Sequence, residues 1–283
     1  MKKISSKVFR KAGSLMLRLA DRCAREPSEL IKTGNERSLY KTGDGNLYWL
    51  NKTSSVDQSI IRSGVFERDL TDFAKRIIQK GHYVFDVGAN IGYYSVIFSK
   101  CVGDAGKVFA FEPTCYYRNW LLENIKENRA NNVEVYDFGL SDKEQQLVID
   151  IGVSSASLHN PDGYEEVVGQ EKITLKRLDS FVEESNPQRI DVIKIDIDGH
   201  EPLFLNGAWK AIDTYKPVIM MEISHLHYLH AGYTAWDFYD MITSRNYFIY
   251  HEKGSEIKSR NEFLMKCANF NASCNVILSH AGL

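Results

Sequence analysis

The stretch Val84-Phe85-Asp86-Val87-Gly88-Ala89-Asn90-Ile91-Gly92-Tyr93-Tyr94 decides the fold. Its start is a short apolar run of the kind that forms a buried strand, and a helical pattern begins at Tyr93. Between them lies a D-x-G-x-N-x-G turn. Gly88 lets backbone approach a ligand, and Gly92 lets the helix pack tightly on the strand. Asn90 stands where a glycine is usual, and asparagine tolerates left-handed backbone better than other side chains. The helix start offers unpaired N–H groups. About twenty residues on, Lys107–Phe111 reads as a second strand ending at Glu112-Pro113, a position from which a carboxylate accepts the hydroxyls of a ribose. A glycine turn after one strand and an acid at the tip of the next together indicate a nucleoside cofactor. NAD and S-adenosylmethionine both fit that outline, and Asp86 discriminates between them. An acid before the turn repels a pyrophosphate, which prefers a positive, donor-rich site, and attracts a sulfonium and an amino group. The sequence therefore favours S-adenosylmethionine.

The chain alternates outward from this motif. Apolar runs at 83–88, 107–112, 133–140, 191–197 and 217–223 are short and bounded, as strands of a buried parallel sheet are. Helical patterns at 93–101, 115–129, 200–215 and 234–245 lie between or after them, the last opening on a Thr234/Asp237 capping box. The alternation predicts an α/β fold with a doubly wound, mostly parallel sheet. Residues 141–185 break the rhythm. Leu147, Ile149 and Ile151 alternate with polar residues, as do Ile173 and Leu175, predicting a two-strand antiparallel insertion joined through Ser154–Gly163. Upstream, Lys41–Asn51 reads as a strand pair around Gly43-Asp44-Gly45, and Glu67–Lys80 as an amphipathic helix stopped by Gly81.

The fourth core strand carries the second group of acids: Asp191-Val192-Ile193-Lys194-Ile195-Asp196-Ile197-Asp198-Gly199-His200-Glu201. Alternation puts Lys194, Asp196 and Asp198 on one face. Ligands of open α/β sheets bind at the carboxyl ends of the strands. Asp196, Asp198 and His200 therefore point to where a cofactor's reactive methyl lies, and the fifth strand delivers Glu222 to the same edge. Clustered charges are costly to bury unless they pair or work, so these four are the candidate catalytic residues. Asp196 is expected to orient the cofactor or the acceptor; Asp198, His200 and Glu222 are the candidate bases. No metal is expected, since the acids show no ligand pattern. His225, His227 and His230 have no third ligand at a fixed spacing and are read as a polar loop over the sheet edge.

The 283 residues are 43% hydrophobic and 25% charged, which excludes a disordered or low-complexity chain. A net charge of −2 argues against a general nucleic-acid binder. Five cysteines, scattered and without a CxxC pair, oppose a disulfide framework and a cysteine zinc site and suit a reducing, cytoplasmic setting. Charge is uneven. Residues 1–25 hold eight basic residues against Asp21 alone, with Ile4, Val8, Phe9, Ala12, Leu15, Met16 and Leu19 at helical spacing. This basic amphipathic segment has two readings: a helix packed on the domain, or one lying on an anionic membrane at its inner face. Arg18 interrupts its apolar side, so it is not read as a cleaved leader.

These motifs resemble the FkbM family of S-adenosylmethionine-dependent methyltransferases. The matching pieces are VFDVGANIGYYS at 84–95, FAFEP at 109–113, GLSD at 139–142, SASL at 155–158, TLKRLDSF at 174–181, IDVIKIDIDGHEPLFLNGA at 190–208 and PVIMMEI at 217–223. GVFERD at 64–69 resembles the element that precedes the glycine turn in that family. The resemblance implies a class I (Rossmann-like) methyltransferase fold and O-methylation of a hydroxyl on a sugar, glycan or natural-product acceptor. By position it implies that Glu67, Asp86, Gly88, Asn90, Gly92, Tyr93, Glu112, Pro113, Leu140, Ser141 and Asp196 hold the cofactor, with Leu140 and Ser141 beside the adenine. The organisation that follows is a basic extension at 1–40, a lead-in at 41–80, the methyltransferase domain at 81–253 and its C-terminal extension at 254–283. One departure stands out. The family usually reads K-[IV]-D-x-E-G-x-E, and here the run is KIDIDGHE. Asp198 is one methylene shorter than the usual Glu, and His200 replaces a small residue, which leaves the base open among the candidates. The competing functions are an NAD-dependent oxidoreductase, which Asp86 opposes, and a non-catalytic cofactor-binding scaffold.

Overall fold

The computed structural model describes residues 26–157, 166–230, 232–267 and 273–282. The amphipathic segment 1–25 and part of the turn expected at 154–163 lie outside the described residues. The chain divides into two compact units after Phe66.

In the first unit, β1 (Glu29–Lys32), β2 (Ser38–Lys41) and β3 (Leu47–Leu50) form an antiparallel sheet in that order, followed by α1 (Ser55–Ser63). The strand pair expected around Gly43-Asp44-Gly45 is β2–β3, closed by Thr42 N–H donating to the Asn46 carbonyl at 2.9 Å. Arg37 and Asp57, both buried, pair at 2.6 Å beneath it.

The second unit opens with α2 (Arg68–Ile77) and alternates through β4 (Tyr83–Val87), α3 (Tyr93–Val102), β5 (Lys107–Phe111), α4 (Cys115–Glu127) and β6 (Val133–Tyr136). Next come β7 (Gly139–Leu140), β8 (Gln145–Gly152), β9 (Ala156–Ser157), β10 (Val167–Lys176) and α5 (Leu178–Ser185). It continues with β11 (Val192–Ile195), α6 (Glu201–Asn206), α7 (Trp209–Tyr215), β12 (Val218–Ile223), α8 (His225–His230) and α9 (Ala235–Thr243). It ends with β13 (Phe248–His251), β14 (Glu256–Ile257), α10 (Arg260–Cys267) and β15 (Cys274–Ser279).

The main sheet has the order β14-β13-β15-β12-β11-β4-β5-β6. Strands β6, β5, β4, β11 and β12 are parallel, and β15 runs antiparallel between β12 and β13. The parallel strands are apolar on both faces, as burial under helices requires: Val84, Phe85, Ile193, Ile195 and Met220 are all shut from solvent. One face is lined with aromatic rings. Phe181 of α5 meets Phe111 and Tyr136 edge-on, with centroids 5.2 and 4.9 Å apart. The order of connection reverses between β4 and β11, and this opens a crevice at their carboxyl ends.

Three details differ from the sequence reading. The run 133–140 is two strands: β6 joins the main sheet, and β7 pairs parallel with β10 through Gly139 and Leu175. The helix expected over 200–215 breaks at Gly207, where a side chain would stand 2.0 Å from the Ser141 carbonyl oxygen. The histidine-rich segment is a helix, α8, instead of a loop. The insertion is the antiparallel pair β8–β10, with Ile149, Ile151, Ile173 and Leu175 buried and Val148, Val167 and Val168 exposed. Among the described residues no helix is long and apolar enough to cross a membrane.

Candidate active site

The glycine turn is built by contact with β11. Gly88 has φ +77, and a side chain there would meet the Asp196 carbonyl oxygen at 1.9 Å, so only glycine fits. Asn90 adopts left-handed backbone at φ 52 and caps its own turn, its Oδ1 accepting from Ile91 N–H at 2.7 Å. This frees its N–H to donate to Glu112 Oε2 at 2.9 Å. Glu112 Oε1 accepts from Thr114 N–H at 3.0 Å and from the Thr114 hydroxyl at 2.6 Å. Burial raises the proton affinity of Glu112, and these donors oppose it. The acid is thus locked in one rotamer at the end of β5.

Beside it lies a cavity that, with the solvent-open space at its mouth, encloses about 630 Å³. Gly88, Asn90, Glu112 and Pro113 form one side, and Leu140, Asp196, Asp198 and His200 another. Ile149, Ala156, Ile173 and Leu175 of the insertion complete an apolar wall. Two hydrogen bonds tie that insertion to the turn and to α4. Asn90 Nδ2 donates to the Ser154 carbonyl at 3.0 Å, and the Tyr117 hydroxyl to that of Gly152 at 2.7 Å.

Other expected residues lie outside this lining. Asp86 is fully buried beneath the turn, accepting the Ser95 hydroxyl at 2.5 Å and facing the charge of Lys194. Burial keeps it out of the cavity lining. Gly92 caps α3, and Tyr93 is buried edge-on against Tyr94, their centroids 5.2 Å apart. Ser141 is buried behind the wall. Glu67, at the start of α2, accepts from the Tyr94 hydroxyl at 2.9 Å and from Asn275 Nδ2 at 2.6 Å. Asn275 belongs to β15, so the C-terminal strand reaches the site through a residue the sequence reading passed over.

The second acid group converges at the ends of β11 and β12. Lys194 and Asp196 pair at 2.9 Å, the lysine buried and the aspartate side chain 31% exposed. Asp198 has φ 51 and Gly199 φ 93; a side chain on Gly199 would stand 2.1 Å from Cβ of His227, which lies over this loop. Glu201 holds the loop from inside, its Oε1 accepting from Ile197 N–H at 3.0 Å. Complete burial pushes its carboxyl up to about 7. Sequence reasoning missed Glu201; its signal was the last acid of KIDIDGHE. His200 is only 6% exposed, and its Nε2 lies 2.8 Å from the Ser141 hydroxyl. That hydroxyl also lies 3.0 Å from Asp142 Oδ1. The imidazole lines the cavity and ties the loop to the segment after β7. Glu222 pairs in register with Asn275. Burial, then the charges of Asp196 and Asp198, push its carboxyl well above the usual range. Among the described residues, no group of three or more His, Cys, Asp or Glu side chains is arranged to hold a metal.

Comparison with known proteins adds the family. A model of the methyltransferase FkbM domain matches residues 86–250, more than half of the chain. The chain belongs to the FkbM methyltransferase family. Its cofactor is S-adenosylmethionine, and the cavity suits that molecule: an apolar slot for a flat base, a carboxylate for a ribose, and acids for two positive groups. The chain is 27% identical over 156 residues to the hexuronic acid methyltransferase AglP of Haloferax volcanii, covering 54% of this chain and 61% of that protein. It is 29% identical over 210 residues to the AMB antimetabolite synthetase AmbE of Pseudomonas aeruginosa, covering 62% of this chain and 10% of that one. The chain thus spans less than two thirds of the length of either relative. The crystal structure of methyltransferase FkbM from Methylobacillus flagellatus aligns with a TM-score of 0.44 at 15% identity, covering 74% of this chain and 50% of that chain.

Proposed function

We propose that this FkbM-family methyltransferase methylates a hydroxyl group of a sugar, glycan or natural-product acceptor. The observation that carries the reading is the meeting of Asp196, Asp198 and Glu222 at one sheet edge beside the cavity. Burial and the charges of Asp196 and Asp198 raise the proton affinity of Glu222 there. S-adenosylmethionine, when bound, supplies an electrophilic methyl on a sulfonium. The protein's tasks are then to align the acceptor oxygen with that methyl and to take up the hydroxyl proton as the new O–C bond forms. In this reading Glu112 holds the ribose, Leu140 and Pro113 flank the adenine, and Asp196 orients the methionyl end or the acceptor. Glu222 is taken as the base, and Asp198, which lines the cavity, is the second candidate. The name of AglP supports a sugar acceptor, and the acidic edge favours one that is uncharged at the reacting position.

The test is incubation of the protein with methyl-labelled S-adenosylmethionine and panels of sugars, sugar nucleotides and hydroxylated natural products. The expected result is S-adenosylhomocysteine formed in step with a base-stable methyl ether, with turnover lowered on the order of a hundredfold in Glu222→Gln. Label in an amine or a carbon, or full turnover in that variant, would contradict the reading.

A further inference from the structure

We propose that Lys194 is a positioning residue that holds the Asp196 carboxylate aimed at the cofactor cavity. The inference rests on the reading of Asp196 as a cofactor-orienting acid. Lys194 sits in the middle of β11 among Val192, Ile193 and Ile195, all buried, where an ammonium is costly to place. It is directly in register with Asp86 of β4. Its Nζ lies 2.9 Å from Asp196 Oδ2 and 4.9 Å from the centroid of the Tyr94 ring. The lysine side chain is 4% exposed and its partner's 31%. The pair therefore presents its carboxylate to the cavity and keeps its cation behind.

The surroundings explain why the cation is needed. Asp196 is faced by Asp86 from β4, Glu67 from the start of α2, Glu201 from α6 and Glu222 from β12. Asp198 follows two residues later, and the Tyr94 ring closes the α3 side. Lys194 faces Asp196, Asp86 and Glu67 together, and its charge balances that part of the cluster. Buried ion pairs kept for stability alone are commonly replaced by apolar residues without loss. This pair ends on an exposed oxygen at the site, which a purely structural pair has no need of.

The experiment measures S-adenosylmethionine affinity at one pH for the full chain, Lys194→Met, Lys194→Arg, Asp86→Asn/Lys194→Met and Asp196→Asn. The double variant removes the second buried carboxylate that Lys194→Met leaves unpaired. With Lys194 replaced by Met, the Asp196 carboxylate loses the group that aims it, and affinity drops about tenfold. Lys194→Arg restores most of that affinity, and Asp196→Asn is weakened as much as Lys194→Met. Unchanged affinity in Asp196→Asn overturns the reading of Asp196 itself. Weakened affinity in Asp196→Asn with full affinity in both methionine variants overturns the role of Lys194 alone. Unfolding of both methionine variants makes Lys194 structural, which also overturns the proposal.

Discussion

At the scale of residues, the site is a set of carboxyls separated by environment. Glu112 is held ready by Asn90 and Thr114, Asp86 is buried beside Lys194, and burial with neighbouring charges raises the proton affinity of Glu222. Glu201 is the one whose consequence for stability is easiest to measure. Its carboxyl rises from 4.5 to about 7 on folding. The folded state then binds the proton more tightly than the unfolded chain, so its contribution to stability is greatest below about pH 4.5. That contribution declines as pH rises and is lost above about pH 7. Glu201→Gln removes this dependence while keeping an acceptor for Ile197 N–H. The expected outcome is a shallower loss of stability between pH 5 and 8 than in the parent, by up to about 3 kcal/mol. Denaturant melts of both proteins across that range check it, and parallel curves would contradict it. The charges themselves were legible in the sequence, because KIDIDGHE and Glu222 fall at strand ends. Their division of labour was not. The bond between His200 and Ser141 and the burial of Asp86 appear only in the structure. Both outcomes depend on contacts between residues far apart in sequence.

At the scale of elements, the β8–β10 insertion is the piece that shapes the cavity. Its buried isoleucines form the wall, and Asn90 and Tyr117 fasten its far end. Tyr117→Phe removes a buried donor and leaves the Gly152 carbonyl unsatisfied, a cost of about 1–3 kcal/mol borne by the insertion. S-adenosylmethionine is therefore expected to dissociate about tenfold faster from that variant, as stopped-flow release would show. An unchanged release rate would mean that the insertion stands without this tie. The alternation of Leu147, Ile149 and Ile151 made the insertion readable, and the bounded apolar runs made β4, β5, β11 and β12 readable. Strands β13 and β15 were not read. They are antiparallel and depend on pairing with each other and with β12, which local pattern does not encode. The break at Gly207 was equally hidden, because its cause is the Ser141 backbone more than sixty residues away.

At the scale of the whole molecule, the basic segment 1–25 carries the clearest test outside the site. Its charge and apolar stripe predict co-sedimentation with anionic but not neutral vesicles, about 1 kcal/mol per basic residue at the surface, weakened by salt. Deletion of residues 1–25 is expected to abolish this and leave cofactor binding intact. Indifference of the full chain to anionic vesicles at low salt would assign the segment to packing. The central claim concerns the sheet edge between β4 and β11, where the chain is held to bind S-adenosylmethionine with Glu112 on the ribose. Calorimetric titration of the full chain and of Glu112→Ala with S-adenosylmethionine and with NAD tests it directly. The account predicts that S-adenosylmethionine binds and NAD does not, and that the variant stays folded and loses about 1.5–3 kcal/mol of affinity. Binding of NAD instead, or full S-adenosylmethionine affinity in the folded variant, would contradict it.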